Sequence, residues 1–132
     1  ELLKGVHNFT ATTGNTFKIA LYDSDATLGA STTAFSTSEE ITNTSGTAYT
    51  SGGATLTSVT PVASSTTAVC DFSDVSYSSA SFTANGALIY NSSASNVAVC
   101  AIAFGSDKTA TNGTFTIQFP TADATNAIIR LA

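Results

Sequence analysis

Residues 16–22, TFKIALY, place Phe17, Ile19 and Leu21 on one side of an extended chain and Lys18, Ala20 and Tyr22 on the other. Residues 114–119, TFTIQF, repeat the pattern, with Phe115, Ile117 and Phe119 on one side and Thr114, Thr116 and Gln118 on the other. Side chains alternate between the two faces of a strand, so each stretch predicts a strand with one apolar and one wet face. Asn112-Gly113, just ahead of the second stretch, predicts a tight turn because both residues tolerate positive φ. Pro120 lacks the amide hydrogen a ladder needs and predicts the end of that strand.

Outward from these two, weaker strands are expected at residues 54–62, 66–72, 75–77, 80–84 and 87–90, with a last one at 127–131. Residues 97–104, VAVCAIAF, are almost continuously apolar and predict a strand covered on both faces. The polar stretch 91–96 would join it to residues 87–90 as a hairpin. Seven to nine short strands punctuated by Gly, Asn and Ser predict an all-β antiparallel sandwich, with a barrel-like variant open. Residues 2–9 suit a short helix face or an extended arm, residues 38–43 a single helical turn, and residues 42–53 a long exposed loop. The expected organisation is an N-terminal arm or short helix over residues 1–15 and one sandwich domain over residues 16–132, with no internal repeat.

Composition supports the β reading. Of 132 residues only 10% are charged, against about 25% in an ordinary domain, and polarity comes instead from 24 Thr and 18 Ser. Thr is stiff at χ1 and fits a pleated, half-buried surface better than a helix. A mean hydropathy of +0.21 argues against disorder, which needs low hydrophobicity and high net charge. At 132 residues the chain is long enough to bury about two-thirds of its unfolded surface in one core.

The net charge of −5 rests on four cations, Lys4, Lys18, Lys108 and Arg130. Nucleic-acid binding needs a row of cations to displace phosphate counterions, and four scattered ones do not supply it. No apolar run is long enough to span a membrane. Residues 1–10 lack the apolar segment of a signal peptide, and the opening Glu1 leads us to expect further residues ahead of it.

Little in the chain asks for catalysis. His7 is the only histidine, and no serine sits in a nucleophile elbow. Asp23-Ser24-Asp25 could offer two oxygens to a cation, but it lacks the Gly and closing Glu of a calcium loop and reads as turn chemistry. Asp71 and Asp74 read the same way. Gly52-Gly53 lies in a Thr/Ser loop and makes no phosphate cradle. Sequons at Asn8, Asn43, Asn91 and Asn112 are no more than the abundance of Asn, Ser and Thr would produce by chance. No catalytic residue, cofactor or metal is expected. Cys70 and Cys100 each lie in an apolar run, as two buried thiols or as one disulfide between strands.

Seven segments together resemble a family of small virion structural proteins of tailed phages, marine ones especially. They are residues 1–10 (ELLKGVHNFT), 16–28 (TFKIALYDSDATL), 49–61 (YTSGGATLTSVTP), 86–92 (GALIYNS), 104–108 (FGSDK), 113–120 (GTFTIQFP) and 126–132 (NAIIRLA). The resemblance implies a non-enzymatic component of the outer virion surface, a capsid decoration or cement protein. Its partners would be the major capsid protein or other virion proteins, and it would be present in many copies or as a homo-oligomer. It brings no required cysteine, which favours buried thiols. The apolar end, Leu2, Leu3, Val6 and Phe9, is the candidate partner-contact arm. Alternatives are a tail, head-fibre, receptor- or carbohydrate-binding module, or an extracellular filament subunit. A sugar platform normally presents exposed aromatics; Trp is absent, and Tyr22, Tyr49, Tyr77 and Tyr90 would have to serve.

Overall fold

The stretch of residues 16–22 forms β1, Phe17–Tyr22, an inner strand of its sheet. The computed structural model describes residues 2–132, the Leu2 side chain excepted. In chain order the remaining strands are β2 (Ala54–Thr55), β3 (Ser58–Ser64), β4 (Thr67–Phe72), β5 (Val75–Asn91), β6 (Val97–Ile117) and β7 (Ile129–Leu131). They make two antiparallel sheets, one ordered β2-β1-β5-β6 and the other β3-β4-β7. The fold is therefore an all-β sandwich, and the one helical element described is the 3-10 turn Leu2–Lys4.

The sheets close on a common core. Phe17, Ile19 and Leu21 of β1 face inward with Phe82 and Ile89 of β5, against Phe72 of β4. Rings dominate it: Phe9 stacks on Phe17 at 4.6 Å, Phe17 meets Phe72 at 5.7 Å, and Phe82 meets Phe115 at 5.0 Å. Tilted and offset pairs at these distances add to the burial of the rings themselves.

Several local expectations change in the folded chain. β1 has no wet face, because Ala20 and Tyr22 on its second side form a smaller cluster with Leu88 and Tyr90, covered by Ala26, Leu28 and Phe35. Phe35 lies flat on Tyr90 at 4.6 Å. Residues 54–62 are not one strand: the chain pairs with β1 at Ala54, buries Leu56, and crosses to the other sheet as β3. Gly53 permits this crossing, since its φ is +71 and a Cβ there would collide with the Ile19 carbonyl. Pro61 sits at the irregularity between Val59 and Val62 on the outer strand β3, where its missing amide breaks no central ladder.

The three short strands expected between residues 75 and 90 are one long β5. Asn112-Gly113 is not a turn but lies inside β6, where Asn112 at φ +47 makes a bulge held by Ser81. One left-handed residue serves a bulge as well as a turn, and local sequence does not separate the two. The hairpin at residues 91–96 forms as expected, with Ser95 and Asn96 at positive φ. Residues 38–43 make a turn rather than a helix.

Residues 42–53 form the expected long loop, yet Ile41 and Tyr49 anchor it in the core. The Tyr49 hydroxyl accepts from Leu21 N at 3.0 Å and donates to Glu40 Oε1 at 2.6 Å. Glu40 also accepts from Ser51 Oγ at 2.7 Å and Gly52 N at 2.6 Å. Burial first, and the Glu40 bond second, hold the Tyr49 hydroxyl protonated far above the ordinary tyrosine range.

Residues 6–15 do not stand apart as an arm. Asn91, fully buried, turns its Nδ2 toward Val6 O (3.3 Å), His7 Nδ1 (3.1 Å) and Asn15 Oδ1 (3.0 Å). Phe9 then fills the core beside Phe17, so this segment belongs to the sandwich.

Candidate functional site

His7 packs between rings, 5.9 Å from Phe9 and 6.2 Å from Phe17, with Nδ1 against Asn91. These neighbours fix the position of the imidazole at the edge of the core. The Asp23–Asp25 turn forms as its residue types predict, with Asp25 N donating to Asp23 Oδ1 at 3.0 Å. Glu39 adds a third carboxylate within 4.8 Å, brought in by the Asp23 N to Glu39 O bond of 3.1 Å. Sequence reading missed Glu39, because the contact depends on a loop return. The cluster is largely solvated, with Asp25 and Glu39 exposed and Asp23 half-buried.

Cys70 and Cys100 are free thiols, so the disulfide alternative is not formed. They lie on different sheets, in β4 and β6, and both pack against the main core. Burial pushes the Cys70 thiol up and the Cys100 thiol up to about 11. Neither is poised as a nucleophile, which needs a thiolate near neutral pH. Asp71, paired with Val59 of β3, keeps its Oδ1 enclosed without a hydrogen-bond partner among the described residues.

The four tyrosines that could have made a sugar platform are all buried, none more than 6% exposed. Stacking on a pyranose needs an open ring face, and these rings supply none. Of the candidate arm, Leu3 is 90% exposed, Val6 is half-buried, and Phe9 is 6% exposed and so corrected from contact residue to core residue. The Leu2 side chain lies outside the described residues.

The β6 side of the sandwich is open. β6 is the outer strand of its sheet and pairs on one side with β5. On its other side, Thr33 and Phe35 bond to Ala98 and Asn96; beyond Ala98, no backbone partner is found among the described residues. Beneath this edge runs a groove of about 490 Å³, lined by Ile102, Phe104, Phe115, Ile117, Phe119 and Ile128, with Lys108 at its margin. The expectation that residues 97–104 would be covered on both faces is thus overturned. Their inner side chains touch the core, while Ala101 and Ala103 face solvent.

Compared with family models, curated proteins and solved structures, the chain matches none.

Proposed function

We propose that this chain is a non-enzymatic virion structural protein, a capsid decoration or cement protein that binds the assembled head. The observation that carries this reading is the open β6 side, where a long unpaired edge adjoins an apolar groove on a ring-filled sandwich. Such a surface suits extended contact with another protein. The resemblance of its segments to small phage virion proteins supplies the particle. A protein that binds the lattice and not its free subunits stabilises the shell by linkage, and symmetry multiplies a modest contact. The exposed Leu3 is what remains of the terminal contact arm.

The competing carbohydrate-binding reading loses its aromatics to the core, as the burial of Tyr22, Tyr49, Tyr77 and Tyr90 shows.

Immunogold labelling of intact particles of the encoding virus tests the proposal. Dense, uniform label over the head is the expected result. Label confined to tail or fibres would move the protein there, and unlabelled particles would overturn the virion reading.

A further inference from the structure

The open side of the sandwich carries three features that bear on what covers it. The first is hydrogen-bonding capacity: over residues 99–117 the outer edge of β6 presents backbone groups that meet no backbone partner among the described residues. Such an edge is a template for another strand, because an extended backbone matches the spacing of its donors and acceptors. The second is the groove beneath, whose Ile102, Phe104, Phe115 and Ile117 would receive every other side chain of that strand. The third is Lys108, which sits in the middle of the free edge and at the margin of the groove.

Lys108 decides between occupants. It is exposed, donates to Ser106 Oγ at 3.0 Å, and meets no ion pair among the described residues. Its neighbour Asp107 is engaged elsewhere, accepting from Asn85 Nδ2 at 2.8 Å. A second copy that paired along the whole free edge would be related by a two-fold axis through its middle. That axis sets Lys108 against Lys108 of the second copy, and like charges directly opposite destabilise a strand pair. A foreign strand with an acidic residue at that place meets the opposite situation.

We propose that the β6 edge is a docking site for an extended segment of another protein, with alternating apolar side chains and an aspartate or glutamate opposite Lys108. The segment pairs on both sides of the irregularity between Ala84 and Gly86, where β6 carries extra residues around Gly105 at φ +77. This deepens the assembly reading by naming the chemistry of the partner. Its test uses the isolated protein, so it stands or falls separately from the location of label on particles.

The probe is a synthetic peptide of alternating valine and threonine with one central glutamate, titrated into the full chain and followed by amide NMR shifts. Shifts should gather on residues 99–117 and on Phe119 and Ile128, and N-methylation of the peptide along one edge should abolish them. Replacing the central glutamate by lysine should weaken binding about fivefold, and Lys108→Glu should reverse that preference. The proposal is overturned by absence of binding at about 1 mM peptide, by shifts on another surface, or by a charge preference that Lys108→Glu leaves unchanged. Dimerisation of the free protein across β6 would also overturn it, in favour of a second copy.

Discussion

β1 and β6 lie in one sheet with only β5 between them, and they meet solvent very differently. β1 is buried along almost its whole length on both faces, although it carries Lys18. β6 opens on VAVCAIAF, a more apolar run, yet it is only half-covered there and largely exposed beyond Phe104. The difference does not come from residue type. β1 receives the core on one side and the segment bearing Ala26, Leu28 and Phe35 on the other. That same segment reaches β6 only at its first residues, through the bonds of Thr33 and Phe35 to Ala98 and Asn96. A strand's burial is thus set by which distant segment returns over it, and the edge left bare is where a partner can add.

Breaking the β1 side should have the largest effect. Phe17→Ala removes a fully buried ring stacked on Phe9 and should cost about 3–5 kcal/mol, read as a loss of urea midpoint.

Alkaline pH should come next, because the deepest part of β6 contributes a titrating group. Burial raises the Cys100 thiol from an ordinary 9.0 to about 11 and the Tyr77 hydroxyl from 10.0 to about 12. Between the two values the unfolded chain holds fewer protons than the folded one, so their contribution is complete below the ordinary pKa and is lost as pH rises. Each group should remove about 1.4 kcal/mol per pH unit across its window. Denaturation curves from neutral pH upward check the slope, and Cys100→Ser should remove its earlier part.

Tyr49→Phe should cost about 2 kcal/mol, since it leaves the buried Leu21 amide without its acceptor. Thermal unfolding followed by circular dichroism reads this. Phe35→Ala, which uncovers Tyr90 and the outer face of β1, should cost about 1–2 kcal/mol and raise amide exchange in β1 and β5.

The smallest effect belongs to β6: Phe104→Ala should cost about 1 kcal/mol or less, because its ring is only partly buried at the rim of the core. A loss as large as that of Phe17→Ala would erase the contrast between the strands.

Much of the sandwich is legible in the residues. Alternation at Phe17, Ile19 and Leu21 identifies β1 and its core face, and the same alternation identifies the inner face of β6 at Phe115 and Ile117. The polar stretch 91–96 reads as the β5–β6 turn for a local reason, since Asn and Ser adopt the positive φ that it needs. The candidate surface was less legible. Leu3 stays exposed as an apolar end would, but Phe9 has equal apolarity and is consumed by the core. The edge of β6 had no signal at all, because an unpaired backbone looks the same in sequence as a paired one.

The sequence by itself determined the strand type, the inner faces and most of the turns, since these follow from side-chain alternation and the φ preferences of single residues. Only the tertiary structure decided that Asn112-Gly113 is a bulge, that residues 54–62 divide between two sheets, and that β6 rather than β1 is the open edge. Those outcomes depend on contacts between residues far apart in the chain, such as Tyr49 with Leu21 and Asn91 with Val6, and local alternation carries no record of them.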